Sequence, residues 1–306
     1  MCLTPSFAKE ITSTLRTGTI TRRFSTWAGT SLPPPVRLVG IAIIAGCAVA
    51  GATAQDRPEG GKRRLDIRPD GEADWGAALP DVQKVLDSTA MSLWPYFPER
   101  SLRPILVSPK GGPIVLFERS DKDEYRVRLS TGGLYWAQYA YQFAHEFCHI
   151  LCNYDRDVHR NKWFEESLCE TASLFALRRM AESWRTKPPY PNWKGYSKAL
   201  AKYADQRIAK AKLPDGKTLA AWYRDNAGPL SRNATDRSRN SIVAVELLKM
   251  FETAPEHWGA VTYLNVEKLD ESQSLRQYLT AWRRHAPPPH RKFIEQIAAK
   301  FDIALP

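Results

Sequence analysis

The spacing of apolar and polar positions along the chain predicts a small sheet followed by many helices. Residues 125–130 alternate in polarity, as a half-buried strand does. Short apolar runs at 103–107 and 114–117 flank a Pro- and Gly-rich stretch, which predicts a hairpin that is joined by this strand. Apolar residues at spacings of three and four predict a helix that begins at Leu79, and C-terminal helices at about 195–212, 218–226, 240–253, 256–265, 272–285 and 290–302.

Between the strands and these helices lies a segment with one apolar face and a separate polar stripe. The apolar positions are Trp136, Tyr139, Ala140, Phe143, Phe147, Ile150 and Leu151, and the polar stripe is Gln138, Gln142, His145, His149 and Cys152. The stripe contains the motif H-E-x-x-H, in which the two imidazoles lie one helical turn apart and can bind one metal ion, usually zinc. Glu146 can then take a proton from water at that ion. Two satisfied core histidines are the alternative interpretation.

A second central helix follows at about 163–175. It carries Glu166 and Glu170, which are four residues apart and share a face. One carboxylate can bind the metal directly, while the other can accept the ring N–H of a ligating histidine. A solvated acidic face on a surface helix is the alternative.

This pattern resembles the gluzincin metallopeptidases. The motif His145-Glu146-x-x-His149 is followed after 16 residues by Glu166, within W-F-E-E-S-L-C-E. The resemblance implies zinc, with His145, His149 and Glu166 as ligands, Glu146 as the general base and Glu170 as a supporting acid. The chain does not match the metzincin motif H-E-x-x-H-x-x-G-x-x-H, because Cys152 and Asp155 stand where this motif has Gly and His. No aminopeptidase-type G-x-M-E-N stretch precedes the helix.

Two further features of a peptidase site are expected. In gluzincin-like folds the strand that corresponds to 125–130 is a sheet edge that pairs with substrate backbone, although an ordinary edge strand protected by its arginines is an equal alternative. A hydrolase also needs a donor for the developing oxyanion. No motif singles one out among the residues of the C-terminal part, Tyr196, Tyr203, Tyr223, His257 and Tyr263.

The N-terminus predicts export. An apolar run at 38–50 follows Arg37 and ends at Ala52-Thr53-Ala54, as in a secretory signal peptide. Ile44-Ala45-Gly46-Cys47 also resembles a lipobox, so a lipid anchor through Cys47 is the alternative to a periplasmic or secreted protein. Removal of residues 1–54 takes away five basic residues and one acidic residue, which lowers the formal charge from +11 to +7. This charge allows association with an anionic cell-envelope surface, and no basic-aromatic motif of a nucleic-acid-binding module is visible.

The remaining cysteines, Cys148, Cys152 and Cys169, all lie on the two central helices. They could be free thiols, a bridge between the helices, or part of a closed zinc site.

The sequence therefore predicts an α+β fold, in which a small sheet and two metal-carrying helices precede an all-helical C-terminal part. The expected organisation is a leader at 1–54, a linker at 55–75, a metal-binding catalytic part at 76–185 and a helical part at 186–306. The expected function is zinc-dependent hydrolysis of a peptide or protein substrate. A non-catalytic metal- or peptide-binding envelope protein on the same scaffold is the alternative.

Overall fold

The computed structural model describes residues 65–156, 159–268 and 270–306. They belong to one compact unit, Thr53–Pro306. The expected leader at 1–54, with Cys47, and residues 55–64 of the expected linker lie outside the described residues. Among the helices of the described ranges, none has the length and apolar composition that crossing a membrane requires.

A four-stranded mixed sheet forms the N-terminal part of this unit. The strands follow the order β1-β2-β4-β3, and their bounds are β1 Ile67–Pro69, β2 Ile105–Ser108, β3 Ile114–Val115 and β4 Tyr125–Arg128. Strands β1, β2 and β4 are parallel, whereas β3 runs antiparallel to β4 at the edge. Strand β1 lies inside the segment that was expected to be a linker, so ordered structure begins before residue 76.

Two expectations about the strands are wrong. Strands β2 and β3 do not form a hairpin with each other, because β4 lies between them and pairs with both. For the same reason β4 is an interior strand, and β3 is the edge. Pro113, which has no N–H to donate, directly precedes β3 and suits an edge position.

Eight α-helices account for most of the described residues. They are α1 Leu79–Met91, α2 Trp136–Leu151, α3 Lys162–Thr186, α4 Ser197–Lys210, α5 Leu219–Arg232, α6 Arg237–Thr253, α7 Leu275–His285 and α8 Pro288–Lys300, with 3-10 segments at Trp94–Tyr96, Pro191–Tyr196 and Pro255–Tyr263. The predicted α+β class with a helical C-terminal part is thereby confirmed.

Helix α3 is the central element. It packs against α2 on one side and against α4 and α6 of the C-terminal part on others. Its first half is buried all round, from Trp163 to Leu177 with the exception of Glu166. A helix that is buried on every face cannot show clear amphipathic spacing. Helix α3 therefore connects α2, which carries the H-E-x-x-H motif, to the C-terminal helices. The candidate site lies between these elements.

Candidate metal centre

A cleft of about 620 Å³ opens beside the H-E-x-x-H segment. Helices α2 and α3 supply the motif residues that line it, β3 forms one wall, and the beginning of α6 lies along another. The volume falls in the range of ligand pockets, about 300–1,000 Å³. The apolar face of α2 turns away from this cleft into the core, where Tyr139, Phe143 and Phe147 are fully buried. Packing of this face therefore holds the opposite, histidine-bearing face toward the cleft.

Glu166 of α3 lies between the two imidazoles of α2. His145 Nε2 is 3.2 Å from Glu166 Oε2, and His149 Nε2 is 3.7 Å from Glu166 Oε1. The two rings have centroids 5.0 Å apart. The structure thus brings together the three residues that the sequence suggests as metal ligands, with the same nitrogen of each ring facing the same carboxylate.

The second nitrogen of each imidazole faces a different carboxylate. His149 Nδ1 lies 2.6 Å from Glu165 Oε1, and His145 Nδ1 lies 4.0 Å from Glu170 Oε2. Glu170, the expected supporting acid, also accepts a short hydrogen bond from the Tyr141 hydroxyl. Carboxylates in this position fix the tautomer and orientation of a ligating imidazole.

The role of Glu165 was not anticipated from the sequence. Its side chain is fully buried, and besides His149 it contacts Lys162 Nζ at 2.9 Å and accepts from Asn265 Nδ2 at 2.8 Å. The only sequence feature that marks Glu165 is its position next to Glu166. Adjacent residues on a helix point in different directions, so this position does not predict that both glutamates reach the site. Only the packing of Asn265 and Lys162 around Glu165 shows that it belongs to the site.

These charges shift the protonation of the cluster. Burial alone would lower the pKa of His149, but the hydrogen bond to Glu165 and the nearby carboxylates raise it to about 10. Burial opposes ionisation of Glu165, yet His149 and Lys162 lower its pKa to about 2. The hydrogen bond from His145 and the charges of both histidines likewise outweigh burial and lower the pKa of Glu166. The site therefore combines a charged His149 imidazole with the ionised carboxylates of Glu165 and Glu166.

Glu146 is the acidic residue that this network leaves free. It lines the cleft and is only 4 % exposed. No hydrogen bond or ion pair joins its carboxylate to any residue of the described ranges. It stands next to His145 at the cleft surface, and its negative charge is among the causes that raise the pKa of His145 and His149.

The donor set fits a zinc ion. Zinc binds imidazole nitrogen and carboxylate oxygen at about 2.0–2.2 Å, so in tetrahedral coordination neighbouring ligand atoms are about 3.4 Å apart. His145 Nε2 lies 3.2 Å from Glu166 Oε2 and His149 Nε2 lies 3.7 Å from Glu166 Oε1, so the two imidazoles approach different oxygens of one carboxylate, and a small adjustment of the side chains would place them around one ion. His145, His149 and Glu166 would hold the ion, and Glu165 and Glu170 would support the two imidazoles.

The three cysteines are buried free thiols beside this site. Cys148 Sγ and Cys152 Sγ are 3.8 Å apart, and both lie within 4.8 Å of Cys169 Sγ. Cys152, expected on the polar stripe of α2, is instead fully buried with the other two. Cys169 Sγ also lies within 4.8 Å of a ring nitrogen of each motif histidine.

None of the five residues considered for the oxyanion lines the cleft. Tyr203 instead accepts a hydrogen bond from Arg207 at 2.6 Å, and Tyr196 donates to the Leu134 carbonyl at 2.9 Å. The described donors on the cleft walls include Tyr141, Tyr154 and Arg207. Tyr154 follows the motif helix by three residues, a position that no sequence pattern marks.

Comparison with protein-family models, with curated proteins and with solved structures finds no match to this chain. The interpretation of the site therefore rests on its own geometry.

Proposed function

We propose that this protein is a zinc-dependent peptidase of the gluzincin type. The single observation that carries the proposal is the pairing of Glu146 with a ready ligand set. His145 and His149 each place Nε2 near a carboxylate oxygen of Glu166, at 3.2 and 3.7 Å, while the adjacent Glu146 carboxylate, 4 % exposed, lines the same cleft. A carboxylate beside two imidazoles at a cleft surface is where the general base for a metal-bound water would stand.

Each residue then has a chemical task. A bound zinc ion would supply a Lewis acid that lowers the pKa of water and polarises a carbonyl. The Glu146 carboxylate would accept the proton of the attacking water and pass it to the nitrogen of the leaving amine. Glu165 would accept the Nδ1–H of His149 at 2.6 Å, which keeps Nε2 of that ring directed at the ligand position, while Glu170, 4.0 Å from His145 Nδ1, would act on the other ring through its charge.

The cleft wall formed by β3 suits an extended peptide. Leu116 N donates to Arg126 O at 2.9 Å, and Ile114 pairs with Arg128, so Val115 occupies the non-hydrogen-bonded position of the antiparallel ladder. Its N–H and C=O therefore point away from β4, toward the open edge of the sheet. Because β3 lines the cleft, a substrate backbone could pair with this edge.

Exposed apolar side chains flank the same edge. Ile114 is 41 % exposed and Phe117 is 48 % exposed, and both line the cleft. Apolar groups in contact with solvent at a cleft rim favour a substrate with apolar side chains. We therefore infer an extended peptide with apolar residues as the substrate class, rather than a nucleic acid.

A second candidate function rests on Cys169. Its Sγ lies within 4.8 Å of ring nitrogens of His145 and His149, so a closed His₂Cys site could hold a metal without an open position. The protein would then be a non-catalytic metal- or peptide-binding protein. Glu166 competes for the same imidazoles, with its oxygens 3.2 Å from His145 Nε2 and 3.7 Å from His149 Nε2.

The site of action is part of the proposal. We infer an exported protein, on the basis of the signal-like segment before residue 55, with lipid attachment at Cys47 as the alternative. Mass spectrometry of the mature N-terminus distinguishes the two, because lipidation leaves a modified Cys47 and signal cleavage leaves Gln55. An unprocessed Met1 would contradict export.

The peptidase proposal is tested by metal analysis of the purified protein, coupled to cleavage of a peptide library. We expect at least one zinc per chain and cleavage of library peptides, which a chelator abolishes and zinc restores. Cobalt substitution reports the ligands: a one-thiolate charge-transfer band that both Cys169→Ser and His145→Gln remove would support the closed site. Metal-loaded protein that cleaves no peptide would contradict the peptidase.

A further inference from the structure

Three thiols lie close together between α2 and α3, next to the proposed zinc ligands. Cys148 lies in the last turn of α2, Cys152 directly follows that helix, and Cys169 lies on α3. None is in a disulfide, and their exposed fractions are 1 %, 0 % and 0 %. Neither the proposed catalytic chemistry nor the support of the histidines uses these side chains.

The spacing of the sulfur atoms matches a shared ion. With metal–sulfur bonds of about 2.3 Å, three thiolates around one ion in a trigonal plane have sulfur atoms about 4.0 Å apart. Cys148 Sγ and Cys152 Sγ are 3.8 Å apart, and no pair of the three exceeds 4.8 Å. Adjustments of less than about 1 Å would therefore complete such a site.

The neighbouring imidazoles are poorer partners for Cys169 than the other two thiols are. His149 already faces Glu165 through Nδ1 at 2.6 Å and Glu166 through Nε2 at 3.7 Å. His145 faces Glu166 at 3.2 Å. The sulfur atoms of Cys148 and Cys152 have no such carboxylate contact among the described residues, and they approach Cys169 as a group.

We propose that Cys148, Cys152 and Cys169 form a buried binding site for a single soft, thiophilic ion of the Cu(I), Zn(II) or Cd(II) class. Thiolate sulfur selects these ions over hard ions such as Mg²⁺ and Ca²⁺, which need oxygen ligands. On binding, each thiol releases its proton to solvent, and the positive charge of the ion offsets the thiolate charges in the buried site. This second metal site is inferred from the thiols themselves and does not rest on the proposed peptidase activity.

The position of the cluster suggests its effect. Cys148 adjoins His149 in sequence, and Cys169 adjoins Glu170. An ion held by all three sulfur atoms would tie α2 to α3 directly behind the residues that hold the catalytic metal. The site would act as a clamp that keeps the two ligand-bearing helices in register.

The test is a Cd(II) titration of the full, reduced chain that carries Cys2→Ser and Cys47→Ser, which removes the two thiols outside the described residues. Cadmium–thiolate bonds absorb in the ultraviolet, whereas cadmium at His145, His149 and Glu166 gives no thiolate band. We expect one equivalent to produce a band with the intensity of three thiolates, which His145→Gln leaves in place. Replacing any of the three cysteines by Ser should weaken this binding by at least roughly tenfold.

Three outcomes would overturn the proposal. The first is the absence of a thiolate band, and the second is a one-thiolate band that both His145→Gln and Cys169→Ser abolish, which would indicate a mixed His/Cys site. The third is a mass two hydrogens lower in the protein as isolated, which would make two of the thiols a disulfide. If a serine variant fails to fold, the ¹¹³Cd chemical shift of the Cys2→Ser/Cys47→Ser chain still counts the sulfur ligands. Activity of the zinc-loaded enzyme is a separate readout and tests only the peptidase.

Discussion

At the scale of single residues, the site depends on which carboxylate faces which nitrogen. The sequence pattern suggests His145, His149 and Glu166 because their spacing is fixed by helix geometry. Glu165 could not be anticipated, because its function depends on Lys162 and on a residue 100 positions later, Asn265. Long-range partners of this kind leave no periodic signal in the sequence.

The buried contact between Glu165 and His149 leads to a prediction on metal affinity. Glu165→Gln keeps a hydrogen-bonding group but removes the charge that holds the His149 N–H, so we expect zinc affinity to fall by roughly 10–100-fold. Competition with a chromophoric chelator measures this change. Glu182→Gln, an exposed position on the same helix, is the matched control and should leave affinity unchanged. Equal affinities of the two variants would remove Glu165 from the site.

Metal binding should also release protons. The pKa of His149 in the metal-free protein is about 10, and that of His145 is raised as well. The His149 imidazolium therefore predominates at neutral pH, and a metal must displace the proton on its Nε2. Zinc affinity should rise with pH, by about tenfold per unit for each proton released, until pH approaches 10. Calorimetry in buffers of different ionisation enthalpy measures the release, and binding without it would contradict the described charge state.

At the scale of elements, the helices were largely predictable and the sheet was not. Helices such as α1 and α2 have clear three-four spacing, and the structure confirms them close to the expected bounds. The order of the strands depends on which segments pair across long connections, which local alternation does not encode. As a result the hairpin of 103–107 with 114–117 and the edge position of 125–130 were wrong.

The edge strand offers a test that leaves the metal ligands untouched. Val115→Pro removes an N–H that points away from β4, and an edge strand tolerates Pro at such a position. We expect KM for extended peptides to rise several-fold with zinc content unchanged, because one backbone hydrogen bond to substrate contributes about 1 kcal/mol. Val115→Ala, which keeps the N–H, controls for the smaller side chain. A KM that stays the same in the Pro variant would place the substrate elsewhere.

At the scale of the whole molecule, the metal is expected to stabilise the folded unit. The ligands come from α2 and α3, and α3 packs against both the N-terminal and the C-terminal helices. A ligand that binds only the folded state at a thousand times its Kd contributes about 4 kcal/mol. Zinc should therefore raise Tm by several degrees relative to chelator-treated protein. A double variant His145→Gln/His149→Gln should show a smaller rise, and an equal rise in that variant would assign the effect to another site, such as the three cysteines.

The most direct test of the central claim is peptide cleavage by Glu146→Gln protein loaded with zinc to the same content as the unsubstituted protein. Glu146 is the free carboxylate at the cleft surface, and it contributes no ligand atom to the proposed zinc site. We predict an unchanged zinc content with kcat reduced by at least about 100-fold, since a general base contributes roughly 10²–10⁴-fold. Cleavage at the original rate by the zinc-loaded variant would contradict the proposed mechanism.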